Sequence, residues 1–149
     1  MPAFGIIKSR YVISQYDPSQ KWLQANDLVN QLSHSPKWKP VGLREVSGLA
    51  GQGALIVGGL SKAPAHGHVI VIYPGPEKPS GGYNRKDHNG KMVKQPAKGS
   101  YPRVMSTSSG SWPGARSYGD KTAWDAWGND AEFEKVQFWK YVGNVEGIV

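Results

Sequence analysis

The sequence predicts an α+β domain: an N-terminal helix packed on an antiparallel β-sheet. Three observations carry that expectation. Ala25, Leu28, Val29 and Leu32 fall at i, i+3, i+4 and i+7, the stripe of one helical face. Short apolar runs follow it, Ala54 to Val57 and His68 to Tyr73, each bounded by Gly or Pro. The 149 residues are 38% apolar with 19 Gly and 11 Pro, a mixture that favours many short elements joined by turns over a helix bundle. A helix followed by a run of strands is the α+β order.

The helix is expected over residues 17 to 34. Asp17 serves as N-cap, Pro18 sits at the first helical position, and Pro36 ends the helix. Asn26, Asp27 and Asn30 lie off the apolar stripe and are expected to be wetter. Residues 35 to 53 read as loop, with a short helical turn over Leu43 to Leu49. Ala54 to Val57 reads as a buried strand, Gly58 to Pro64 as a turn, and residues 68 to 73 as the next strand, antiparallel to the first. Residues 74 to 100, rich in Pro, Gly, Lys and Asn, form a long polar excursion. Tyr101 to Ser106 returns as a strand, and Ser106 to Gly119 is a loop carrying Trp112. Residues 121 to 130 have helical spacing, with Ala123, Trp124 and Trp127 on one side, and Phe133 to Val142 reads as a final strand. There is no internal repeat and no long linker, so one domain over 1–149 is expected.

Composition narrows the function classes. The net charge of +7 favours anionic partners, but the 18 Lys and Arg are dispersed with no run of five, which makes nucleic acid the weaker choice among them. No apolar run reaches the roughly 20 residues that span a bilayer, so no membrane insertion is expected. Met1 to Val12 carries no secretion-signal core, so a role outside the cytoplasm implies another delivery route. The chain has no Cys, which excludes disulfides, thiolate metal sites and a thiol nucleophile as it stands.

The chemistry concentrates at Ala65-His66-Gly67-His68 and the apolar run after it. A stiff buried strand fixes the imidazole of His68 as a general base, and Gly67 lets other backbone come close. A thiol nucleophile paired with such a base belongs at a helix N-terminus, where the dipole favours the thiolate, and a third polar group must orient the imidazole. The simplest alternative for His68 is a strand-end histidine satisfied by a backbone carbonyl. His66 and His68, at i and i+2, share a face if the strand is regular, and His88 or Asp87 are the nearest further ligands for a metal; neither metal nor cofactor is expected. His34 and His88 are read as solvated, and Lys86, Lys91, Lys94 and Lys98 as a basic loop that faces solvent, anionic wall or an acidic partner.

The order of helix, His-bearing strand and polar strand end resembles the papain-like core of the NlpC/P60 and CHAP cell-wall amidases. Gly53-Ala54-Leu55-Ile56-Val57-Gly58-Gly59-Leu60, Gly67-His68-Val69-Ile70-Val71-Ile72, Gly75-Pro76, Tyr101-Pro102 and Gln24-Ala25-Asn26-Asp27-Leu28-Val29 are similar to the type VI secretion amidase effectors over roughly residues 20 to 110. That family carries its catalytic Cys where this chain has Ala25. The resemblance implies a peptidoglycan stem-peptide amidase with its nucleophile position at 25, His68 as base, and Ser106, Thr107, Ser108 or a backbone carbonyl as third group. Trp112, His66 and Asn26 are the expected substrate contacts. It implies cleavage of the γ-D-glutamyl–diaminopimelate bond, with the diaminopimelate–D-alanine cross-link as runner-up. It also implies delivery by a type VI apparatus into a target periplasm and a cognate, acidic immunity protein as partner. Ala25 is then a deliberate replacement of a cysteine or the mark of a natural pseudo-enzyme; the intact surroundings of His68 favour replacement. A non-catalytic basic module for wall glycan or single-stranded nucleic acid is the alternative.

Overall fold

A computed structural model describes residues 16–17, 21–22, 24–106 and 117–143. The chain begins there with a two-stranded ribbon, β1 (Tyr16–Asp17) paired antiparallel with β2 (Lys21–Trp22). Asp17 thus lies in a strand and not at the start of the described helix. The helix α1 spans Ala25–His34 and opens seven residues later than the Asp17-Pro18 signal implied. Gln24 has extended backbone, and its N–H donates to Asp27 Oδ2 at 3.3 Å, which closes the first turn. The expected stripe holds: Leu28, Val29 and Leu32 are buried and Ala25 packs beside them.

β3 (Trp38–Val41) and α2 (Leu43–Gly51) follow, then β4 (Ile56–Lys62) and β5 (Ala65–Ile72). Helix α2 is longer than the turn expected there. β4 runs straight through Gly58-Gly59 instead of turning at them. These glycines serve packing: a Cβ on Gly59 would sit 2.8 Å from Val29 of α1, and one on Gly58 would sit 2.8 Å from the Phe138 ring. The turn is confined to Ala63-Pro64, and β4 and β5 form the antiparallel pair the sequence implied.

The polar excursion is not irregular. It contains β6 (Lys78–Ser80), β7 (Asn84–Lys86), β8 (Met92–Lys94) and β9 (Lys98–Tyr101), paired as two small ribbons, β6 with β9 and β7 with β8. β10 (Arg103–Ser106), β11 (Ser117–Thr122), α3 (Asp130–Phe133) and β12 (Gln137–Tyr141) complete the described chain. Residues 121 to 130 are not the expected helix. The buried Asp125 carboxylate accepts from Thr122 N at 2.9 Å, Thr122 Oγ1 at 3.0 Å and Gly81 N at 2.8 Å, so it caps a single turn that ends at Gly128, whose φ is 77°. Tyr83 also bonds this carboxylate, and burial, reinforced by Asp125, pushes its phenol up to about 12.

The main sheet has the order β11-β10-β5-β4-β12-β3, and all its pairs are antiparallel. Strand alternation divides the core in two. On one face Val57, Val69, Val71, Trp139 and Tyr141 pack with Trp38 and with Leu28, Val29 and Leu32 of α1. On the other, Ile56, Ile70, Ile72, Val104 and Phe138 pack with Val46 and Ala50 of α2 and with Trp124 and Phe133. The fold is thus mixed α+β on a mostly antiparallel sheet, with a second layer that the sequence did not announce.

Candidate active site

Two groups of residues meet at the start of β5. The first belongs to α1. Ala25 is the first helical residue and packs with the core cluster that holds Val69 and Val71. A residue at this position sits at the positive end of the helix dipole, beside backbone N–H groups that have no partner within the helix. Asn26 follows it. Its Oδ1 accepts from Lys62 N at 2.9 Å and its Nδ2 donates to Ala65 O at 2.8 Å, so it bridges both strands of the β4–β5 hairpin. Gly67 is required at this crossing, because a Cβ would collide with Asn26 Oδ1 and Leu60 O.

The second group surrounds His68. Its Nε2 lies 2.8 Å from Ser106 Oγ on the neighbouring strand β10. Its ring meets Trp127 edge-to-face, with centroids 5.6 Å apart and planes at 69°. Burial holds the imidazole down at about 4 from an ordinary 6.5, so it is neutral at pH 7 and retains one basic nitrogen. Ser106 is fully buried at 0% exposure. It can orient the ring but cannot reach a substrate as a nucleophile. Trp127 rides on a braced turn: the Lys98 ammonium at 2.8 Å, and after it Trp124 Nε1, which donates at 2.9 Å, hold the Asp130 carboxyl below its ordinary range.

His68 follows the alternation of Ile70 and Ile72, and its contacts with Ser106 and Trp127 lie on that face. Ala25 packs on the Val69 and Val71 face. The structure therefore brings His68 and Ser106 together and sets Ala25 on the opposite face of β5. His66 is exposed. The register passes from Leu60↔His68 to Lys62↔Ala65, so His66 and Gly67 together oppose Ser61 in a β-bulge. Regular alternation from 66 to 68, the premise of a shared His66–His68 face, is lost there. Among the described residues no three His, Asp or Glu side chains gather as a metal site. His34 contacts the Asn30 carbonyl at 2.7 Å, and His88 is exposed in the β7–β8 turn. Thr107, Ser108 and Trp112 lie outside the described residues.

Sequence reasoning missed the bridging role of Asn26 and the contact of Trp127 with His68. Asn26 carries no local signal for that bridge, because Lys62 and Ala65 lie 36 and 39 positions away. Trp127 carries none, because its neighbour is distant in sequence. No family model matches the sequence, and no curated protein is significantly similar to it.

Proposed function

We propose that the chain is a papain-like amidase for peptidoglycan stem peptides in which the nucleophile position holds Ala25, so that the form described here binds and does not cut. The observation that carries this reading is the His68–Ser106 bond of 2.8 Å beside a helix that starts at Ala25. It supplies a neutral base and its orienting group in the chain order expected of a thiol amidase. The family resemblance of the Gly67-His68-Val69 and Ala25-to-Val29 stretches points to the γ-D-glutamyl–diaminopimelate bond. It also points to a type VI effector acting in a rival periplasm, with an acidic immunity protein as its partner.

With cysteine at 25, the neutral imidazole of His68 takes the thiol proton, and the thiolate adds to the stem-peptide carbonyl to form a C–S bond. The oxyanion is held by backbone N–H groups at the start of α1. The imidazolium of His68 gives its proton to the leaving amine as the C–N bond breaks. Water, deprotonated by the same imidazole, then releases the acyl group and restores the thiol. The arrangement of faces adds one demand: His68 must be presented to the α1 side for this pairing.

Ala25→Cys tests the reading on purified peptidoglycan, with released muropeptides analysed. Cleavage that disappears on adding His68→Ala is the expected result. No cleavage, or cleavage that survives His68→Ala, overturns it.

A second reading rests on the β7–β8 ribbon. Its register puts Asn84, Lys86, Met92 and Lys94 on one exposed face, with Lys91 at the turn. Among the described residues the ammonium groups of these three lysines form no ion pair. A non-catalytic module that holds an anionic polymer through this face predicts binding that falls steeply with salt and no effect of Ala25→Cys on cell wall.

A further inference from the structure

The bulge in β5 sets the face on which His68 stands. Counted from Leu60↔His68 inward, β4 and β5 pair residue for residue: Gly59↔Val69, Gly58↔Ile70 and Val57↔Val71. Towards the hairpin tip, Lys62 pairs with Ala65, and one residue of β4 opposes two of β5. A side chain changes face when a strand slips by one residue, and a bulge is such a slip confined to one place. With the bulge at His66-Gly67, His68 keeps the phase of Ile70 and faces Ser106 and Trp127. With the bulge carried past His68, the imidazole would take the phase of Val69 and face α1.

Two features hold the bulge in place. Asn26 grips the pair that closes it on the tip side, through Lys62 N at 2.9 Å and Ala65 O at 2.8 Å. Gly67 leaves room for that side chain, which any Cβ would strike. The grip comes from the second residue of α1, so the helix start and the imidazole are coupled through a single side chain.

We propose that Asn26 is a positioning residue: by pinning the β5 bulge at His66-Gly67 it fixes the face on which His68 stands. Its amide is held by the hairpin at both ends. With the bulge pinned, His68 stands away from position 25, so the pairing that the amidase reading requires needs the Asn26 grip to be released; the grip itself is read from the Asn26 contacts and is tested without peptidoglycan.

NMR on the full chain tests it. In the parent protein the His68 ring protons are expected to show NOEs to Trp127, the imidazole to titrate near 4, and the Lys62 amide to be protected from exchange. In Asn26→Ala the Lys62 amide is expected to exchange at least about tenfold faster, the His68–Trp127 NOEs to fade, and the titration to move towards about 6.5. NOEs between Gly58 and Phe138, deeper in the sheet, should persist. Asn26→Asp keeps an acceptor for Lys62 N and loses the donor to Ala65 O. It should retain Lys62 protection and shift the His68 titration less, which keeps the test decisive if the alanine variant folds poorly. Gly67→Ala should reproduce the Asn26→Ala pattern from the other side of the contact. A His68 that keeps its Trp127 NOEs and its low titration in Asn26→Ala and Gly67→Ala overturns the proposal. So does an Asn26→Asp variant whose Lys62 amide loses its protection.

Discussion

The two faces of β5 solve opposite problems with adjacent residues. On the α1 face, Val69 and Val71 meet a helix that comes close because Gly59 and Gly67 have no side chains. Contact there is aliphatic and depends on what is missing. On the other face, Ile70 and Ile72 continue an apolar core, but His68 ends the row as a polar group enclosed by Trp127 and Ser106. Contact there depends on one imidazole remaining neutral in a dry setting. One strand thus supplies a packing surface and a candidate site, separated only by the pleat. Chemistry placed at the start of such a strand inherits its phase from the bulge, so small changes near Gly67 matter more to the site than to the core.

Substitutions can break the two faces separately. The largest loss is expected for Trp124→Ala, which removes a side chain at 0% exposure beneath the His68 platform together with its bond to Asp130. About 3–5 kcal/mol of stability should disappear in denaturant titration. Gly59→Ala acts on the other face, where the new Cβ would press on Val29 at 2.8 Å and Val69 at 3.0 Å. A cost of about 1–3 kcal/mol is expected, with the His68 titration unchanged. A raised His68 titration in Gly59→Ala would show that the two faces are not independent.

Acid sharpens the same contrast. The unfolded His68 binds its proton near 6.5 and the folded one near 4, so between those values the unfolded state holds more protons. Stability is therefore complete above 6.5 and declines as pH falls towards 4, by a margin on the order of 3 kcal/mol. His68→Gln should remove most of that slope while other acid-sensitive groups keep theirs. An unchanged slope would mean that the imidazole is wetter than its neighbours imply. The smallest effects belong to the ribbon. Lys86→Ala and Lys94→Ala should each change stability by less than about 0.5 kcal/mol, since neither side chain has a carboxylate partner among the described residues. If this face holds an anionic polymer, the double variant should also flatten the salt dependence of its binding.

Much of this arrangement is legible in the sequence because it depends on local pattern. The stripe of Leu28, Val29 and Leu32 forecasts the buried face of α1, and the two apolar runs forecast the β4–β5 hairpin. For the partner of His68 the sequence leaves Ser106, Thr107, Ser108 or a backbone carbonyl open, and the Ser106 hydroxyl lies 2.8 Å from the ring. What escaped depends on distant neighbours. Asp17-Pro18 reads as a helix start, but Asp17 pairs with Lys21 in a ribbon. Gly58-Gly59 reads as a turn until Val29 and Phe138 are seen against it. Trp124 and Trp127 have helical spacing, yet Asp125 between them spends its carboxylate on Thr122 and Gly81 and holds a turn. The face of His68 depends on a one-residue bulge gripped by Asn26, 39 positions from Ala65 in sequence, and no periodicity encodes that.

The most direct test of the His68 pairing needs no substrate. In Ala25→Cys the chain has a single thiol, and its rate of alkylation by iodoacetamide can be followed from pH 4 to 10. Pairing with His68 predicts a thiolate that persists well below the ordinary value of about 8.5, and a midpoint that rises by a unit or more when His68→Ala is added. A thiol that titrates near its ordinary value, or one whose midpoint ignores His68→Ala, would contradict the pairing and leave His68 as a buried structural histidine.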